Sequence, residues 1–328
     1  MNEIIYKGPF KDHIKNHVEL KQAVGYKYRA EASHLKRFDR FTLEKYPCAT
    51  VLTKEIVLDW CRKKTYEAKA NQCSRASIIR QFSKYLDSIS VQAYIITKGY
   101  YPAPERYTPH IYSIEELTRF FAETDKCCYC YQCRYRHLVM PVFFRMVYMC
   151  GLRVSEARLL KVDDVDIEKG ILTIQHSKKD NNRLVPMSDC LTERCRHYSK
   201  KMHPFPIRED YYFPGLDGKP ITIGNVYKNF RKFLWRAGIS HGGRGSGPRV
   251  HDFRHSFAVH CLKKWTEREM DLMVYLPVLK TYLGHDSFEE TAYYLRLTAD
   301  VFPNITLRLE TRYPEIIPVL EGGTDEAY

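Results

Sequence analysis

The chain has no apolar run long enough to cross a bilayer. The best candidate, Leu138 to Leu152, is interrupted by Arg145 and falls short of the roughly 20 residues a spanning helix needs, so no membrane span is expected. The opening stretch MNEIIYKGPFKDHIK has neither an apolar core nor a cleavage-site pattern, and we expect a cytoplasmic protein whose thiols stay reduced. A G-x4-G-K-S/T phosphate loop is missing, as is any gathering of carboxylates of the kind that two-metal nucleases use. Both absences argue against nucleotide-driven or metal-assisted chemistry, and no cofactor or metal is expected. Of the 11 cysteines, Cys127, Cys128, Cys130 and Cys133 contain the overlapping C-x2-C spacings 127/130 and 130/133, yet no separate second C-x2-C pair follows. A zinc site would lack the separated second pair, so a reduced, partly exposed loop or helix turn is the expectation. Acidic residues are also in deficit, 39 against 52 lysines and arginines.

That imbalance gives a formal net charge of +13 over 328 residues. A basic surface gains from attracting phosphate and releasing its counterions, so nucleic acid leads as partner, ahead of an anionic membrane surface. The excess is spread along the chain, which favours folded domains that wrap their partner over a basic tail. From Phe10 to about Tyr94 apolar and basic residues alternate at helical spacing, as in Tyr28, Ala32, Leu35, Phe38 and Phe41, and predict three or four helices. Breaks are expected near Tyr46-Pro47-Cys48 and at Glu67 to Asn71. Then comes YYPAPERYTPHIYS, whose Pro102, Pro104 and Pro109 enforce an extended linker. Beyond it, Ser113 and Glu116 form a capping-box pattern. ILTIQ and RLVPM flank the polar turn HSKKDNN as a β-hairpin does. Helices resume to about Leu309, and EGGTDEAY reads as a frayed tail. The expected division is 1–99 helical domain, 100–112 linker, 113–311 second domain and 312–328 tail.

Four segments of the second half carry chemistry. CGLRVSEARLLKVDDVD resembles the TGLRxSEL segment of tyrosine recombinases, the family of phage integrases and Xer-type enzymes. HSKKDNNRLVPM resembles that family's GKGNKERxVPL hairpin, HDFRHSFAVH its HDLRHSFATH box, and LGHDSFEETAYYLRL its LGHSSIxTTxxYxHV segment. Any one of these patterns could arise by chance, whereas all four in order and at the family spacing identify the chain as a member. The resemblance covers about Ser113 to Leu297 and implies a mainly α fold with a small β-sheet: an N-terminal helical, SAM-like core-binding domain followed by an α+β catalytic domain. It assigns Arg153, Lys178, His251, Arg254, His285 and Tyr294 as catalytic, with Glu156 orienting a basic catalytic residue. Lys179 stands where the family has glycine, so two lysines compete; the register set by Arg183-Leu184-Val185-Pro186 favours Lys178. Tyr293 adjoins Tyr294, and the spacing from Gly284-His285 favours Tyr294 as nucleophile.

The residue types suit phosphodiester transesterification, which needs a nucleophile, charge on the non-bridging oxygens and a proton for the leaving oxygen. A tyrosine, with a pKa of about 10, attacks poorly until cations or a base assist it. Arg153 and Arg254 can offer paired donors to phosphate oxygens, a geometry lysine cannot reproduce. His251 and His285 are expected to titrate near neutrality and move protons, and Lys178 to protonate the departing 5′ oxygen. The implied product is a 3′-phosphotyrosyl enzyme with a free 5′ hydroxyl, which keeps the bond energy and needs no ATP.

Other residues have plainer readings. His255, His260 and Tyr293 are expected to pack. Asp163, Asp164 and Asp166 are expected to build a turn rather than bind metal. HGGRGSGPR, His241 to Arg249, reads as a flexible loop near DNA. Within NQCSRASIIRQFSKYL, which looks like the family helix along the duplex, Arg75 and Arg80 are candidate DNA contacts, as is Lys179. By resemblance the partners are double-stranded DNA with inverted-repeat core sites and further copies of the chain, four on two duplexes, with the apolar segment after Tyr294 docking on a neighbour. The family's work is integrating, excising or inverting DNA, here of a mobile element. Two rivals are a type IB topoisomerase, which uses a similar residue set as a monomer, and a DNA-binding accessory protein without catalysis.

Overall fold

A computed structural model of the chain describes residues 4–102, 107–175, 182–243 and 247–302. It divides into two compact units, Met1–Tyr107 and Thr108–Tyr328. In the first unit, α1 (Lys11–Ala23), α2 (Arg29–Lys45), α3 (Lys54–Cys61) and α4 (Lys69–Ser88) pack around Phe10, Ile14, Leu35, Phe38, Ile56, Trp60, Ile79, Phe82 and Leu86. The apolar periodicity of α2 becomes its buried stripe, Ala32, Leu35 and Phe38. α2 stops at Lys45, just before Pro47, and Thr53 caps α3 by accepting from the Ile56 amide at 3.3 Å. The second break lies earlier than the sequence implies, between Cys61 and Lys69.

Arg75 explains that earlier break. Its guanidinium is buried, paired with Glu67 (Nε to Oε1, 2.8 Å), and donates to the carbonyls of Trp60 and Arg62. The α3–α4 connection is therefore clamped around a side chain that sequence reasoning had placed against DNA. With every nitrogen engaged inside the protein, Arg75 is a structural arginine. Arg80 is half-buried, its Nε donating to the Ile96 carbonyl at 2.9 Å, which pins the segment after α4.

The second unit opens with α5 (Ile114–Asp125), whose Ser113–Glu116 capping box forms as expected (Glu116 amide to Ser113 Oγ, 3.2 Å). α6 (Arg136–Met149) runs through the core to α7 (Val154–Leu159). An antiparallel sheet follows, β1 (Val165–Asp166), β2 (Ile171–Ile174) and β3 (Arg183–Pro186), in the order β1-β2-β3. Then come α8 (Asp189–Met202), α9 (Ile223–Arg236), α10 (Asp252–Glu267), α11 (Leu272–Leu283) and α12 (Glu289–Val301). The core is aromatic: Phe253 of α10 meets Phe120 at 5.1 Å and Phe230 at 5.7 Å between ring centres, both edge to face, the arrangement ring quadrupoles favour. A second cluster joins α10, α11 and α12 through Val259, Leu262, Leu276, Leu279, Leu283 and Tyr294.

The acidic run builds a turn: Asp164 accepts from the Lys161 amide (2.8 Å) and Gln175 Nε2 (2.6 Å). Among the described residues no three metal-ligating side chains gather, and Tyr131–Cys133 is a short 3-10 turn with its neighbouring cysteines free. No described helix is long and apolar enough to cross a membrane. The hairpin tip, with Lys178 and Lys179, and the segment expected to dock on a neighbour lie outside the described residues, as does 244–246 of the glycine-rich stretch.

Candidate active site

Two tight turns and one buried helix face gather the site. After α6 the chain turns at Gly151 with φ +58, where an added Cβ would lie 2.6 Å from Phe257 and 2.8 Å from Leu283. Only glycine fits, on both conformational and packing grounds. That turn leads into Arg153, directly before α7. α11 ends at Gly284, again left-handed (φ +66), which swings His285 toward α12. α10 buries Phe253, Ser256, Val259 and Leu262 on one face, and Arg254 is carried inward with them.

Arg254 is only 1% exposed. Its Nη1 donates to the Gly151 carbonyl (2.8 Å) and its Nη2 to the Leu283 carbonyl (2.7 Å), so both turns are tied to it. Its guanidinium also lies close enough to Tyr294 to favour the ionised phenol. Part of its donor fork is thus committed to the fold, whereas the sequence leaves the whole fork free for phosphate. Burial away from water lowers even this guanidinium, to about 10.

Glu156 lies between two arginines. Arg153 Nη1 reaches its Oε1 at 2.8 Å, the Arg153 amide its Oε2 at 2.9 Å, and Arg183 grips both oxygens at 3.1 and 2.9 Å. Burial alone would raise this carboxyl, but the hydrogen bonds and charge of Arg183, with the Arg153 amide, outweigh it and hold it at about 2. Arg153 Nη2 also donates to the Gly284 carbonyl at 3.2 Å. In the sequence Arg183 serves only as a register mark. Its strand nevertheless carried a sign: the inward positions of β3 are Arg183 and Val185, while Leu184 faces solvent. A charge on the buried face of a strand calls for a buried partner.

Tyr294 is buried at 3% exposure, and Tyr293 is half-buried and packs against the same cluster. α12 turns Tyr294 toward Arg254, and the His285 ring stacks on it at 5.7 Å with an interplanar angle of 19°. Thr291 Oγ1 holds His285 Nδ1 at 2.9 Å. On another side of Tyr294 lies His255, 5.5 Å from its ring and 4.8 Å from that of His251. His255 thus belongs to the site, whereas His260 bonds Tyr148 (2.9 Å) and supports the fold as expected.

The imidazoles depart from the near-neutral titration expected of them. Desolvation, then the charges of Arg254 and Arg153, depress His251 to about 4. The same causes, with Arg183, depress His285 to about 3, and burial beside His251 and Arg254 puts His255 at about 3. All three are neutral at pH 7 and can accept protons. Tyr294 is raised above 10 because burial outweighs the stabilising charges of Arg254 and Arg153.

Residues 113–300 match the phage integrase family. The putative integrase/recombinase y4rB of Sinorhizobium fredii is 29% identical over 311 residues, 93% of this chain and 98% of that protein. Tyrosine recombinase XerA of Pyrococcus furiosus is 32% identical over 160 residues, 47% of this chain and 49% of that protein. Among solved structures, XerH site-specific recombinase in a post-cleavage complex with palindromic difH substrate aligns with a TM-score of 0.61. The identity is 20%, over 87% of this chain and 78% of that one. The Tn1549 transposon integrase with circular intermediate DNA aligns at 0.62 and 14% identity, over 86% and 94%. The chain belongs to the phage integrase family, the tyrosine recombinases. Its helical architecture with one small sheet is the fold of those structures.

Proposed function

We propose that the protein is a site-specific recombinase that breaks and rejoins DNA through Tyr294. The observation that carries this reading is the Tyr294 hydroxyl facing Arg254, with Arg153 tied to the same Gly284 turn and three neutral imidazoles nearby. The Tyr294 oxygen attacks the scissile phosphorus, the bond to the 5′ oxygen breaks, and a 3′-phosphotyrosyl bond remains. Arg153 and Arg254 place positive charge where the pentacoordinate phosphorane develops negative charge, the arrangement in which fixed charge lowers a barrier most. A bound phosphate also offsets the arginine charges that depress the imidazoles, which brings His251 toward a range useful for taking the phenolic proton. Lys178, in the segment between β2 and β3, supplies the proton to the leaving oxygen. Charge on arginine and energy kept in the phosphotyrosyl bond make the reaction independent of metal and ATP.

The duplex would lie against basic surfaces of the two units. One candidate surface escaped the sequence reading: on α9, Tyr227, Arg231 and Trp235 are exposed along one stripe, with Lys228 beside them. Aromatic and basic side chains interleaved on an exposed helix fit a nucleic-acid contact. The biological reading is movement of a mobile element between inverted-repeat core sites by a tetramer assembled on DNA in the cytoplasm.

A nicked duplex carrying a candidate site tests the reaction, because loss of the nicked fragment traps the covalent adduct on a denaturing gel. An adduct is expected with and without chelator, absent in Tyr294→Phe and present in Tyr293→Phe. No adduct on a site that the protein binds would refute the reading and favour a non-catalytic DNA-binding role.

A further inference from the structure

Arg183 is 9% exposed, and every nitrogen of its guanidinium is used: Nε on the Tyr282 carbonyl at 2.8 Å, and Nη1 and Nη2 on the two oxygens of Glu156. It cannot touch a substrate while those bonds stand. Yet the carboxylate it grips is the one that binds Arg153, and Arg153 is the more open partner, half-buried where Arg183 is buried.

We propose that Arg183 is a positioning residue that sets the charge Arg153 presents to the scissile phosphate, an inference that rests on the recombinase reading above. Glu156, held at about 2, is ionised throughout the working range. Arg153, Glu156 and Arg183 together therefore carry one net positive charge. Without Arg183, the carboxylate is balanced by Arg153 alone, so the pair is neutral and draws the Arg153 fork onto Glu156. In a desolvated site that loss of field is felt strongly. Arg183 also fixes direction. Its bidentate grip and its bond to the end of α11 hold Glu156 in one rotamer, and with it both Arg153 contacts.

The packing around the clamp leaves little room. A Cβ built on Gly284 would lie 2.9 Å from Arg183 Nη1, so the turn that accepts from Arg153 is moulded on Arg183. The strand carrying Arg183 pairs with β2 (Ile174 opposite Arg183), which makes the clamp part of the sheet rather than of a loop.

The test uses the full chain and the nicked suicide duplex at saturating protein. Arg183→Met should slow adduct formation about 100-fold, the scale of a misplaced catalytic group, while binding of an intact site changes far less. Arg183→Lys, which keeps charge but not the fork, should fall between. The double variant Arg183→Met/Glu156→Gln removes the unbalanced carboxylate and should recover about 10-fold or more of the loss, a coupling read from the cycle. On a duplex with a methylphosphonate at the scissile position, which lacks the non-bridging negative charge, the gap between wild type and Arg183→Met should narrow. A merely structural role would slow both substrates alike. An unchanged gap, a double variant no faster than Arg183→Met, or Arg183→Met within about 3-fold of wild type overturns the proposal. If Arg183→Met does not melt cooperatively, Arg183→Gln replaces it in the same cycle. A wild-type chain that forms no adduct refutes the recombinase reading instead.

Discussion

Gly284→Ala should damage the site out of proportion to its single methyl group. The residue ends α11 at φ +66, where a Cβ costs about 1–2 kcal/mol by crowding the following carbonyl. That Cβ would also lie 2.9 Å from Arg183 Nη1 and 3.1 Å from its Cδ and Cζ, closer than ordinary contact. Arg183 must shift, and overpacking of this kind costs about 1–3 kcal/mol. The two terms together give roughly 2–5 kcal/mol, and each kcal/mol lowers the melting temperature by about 2–4 °C for a unit of this size. The Gly284 carbonyl accepts from Arg153 at 3.2 Å, so the same strain reaches a catalytic arginine, and adduct formation should fall about 100-fold. Gly224, in α9 with nothing within 4 Å of its added Cβ, is the control for stability: Gly224→Ala should stabilise by about 0.5–1 kcal/mol. Calorimetry with single-turnover adduct assays on both variants provides the check. A Gly284→Ala chain that melts and cleaves as wild type would refute the view that this turn is shaped around the two arginines.

Stability should fall in acid in two steps. His17, lowered to about 4 by burial and then Lys21, joins His255 and His285 in having a folded pKa below the unfolded value of 6.5. Unfolding then takes up protons, so their contribution is full above pH 6.5 and is lost as pH falls from there toward 3–4. Glu156 follows, its contribution present above 4.5 and lost toward 2. Urea midpoints between pH 3 and 8 measure this, and His17→Phe should flatten the upper step for the first unit. Arg75→Ala should cost about 3–5 kcal/mol by leaving Glu67 buried without its cation; chemical denaturation reads it. Arg231→Ala should leave stability unchanged but lower the salt slope of DNA binding by about 1; a slope equal to wild type would remove α9 from the interface.

Much of the fold could be read in the chain because periodicity and turn chemistry are local. Ser113 with Glu116, Pro47 after α2, and ILTIQ facing RLVPM each act within a few residues. Burial of a charge is not local. Arg75 and Arg80 look alike in sequence, both basic on one helix, yet Glu67 and the Trp60 carbonyl take Arg75 out of reach of any ligand.

The sequence by itself determined the family, the four chemistry-bearing segments and the helical class, since each rests on residue identity and spacing along the chain. Only the tertiary structure decided how those segments meet. It turned Arg254 into a buried tie between two helix ends, put His255 beside Tyr294, and drew Arg183 onto Glu156 from 27 residues away. It also lowered the imidazole pKa values well below neutral pH. Desolvation and summed charge are properties of a three-dimensional neighbourhood, and no residue carries them in its own place in the chain.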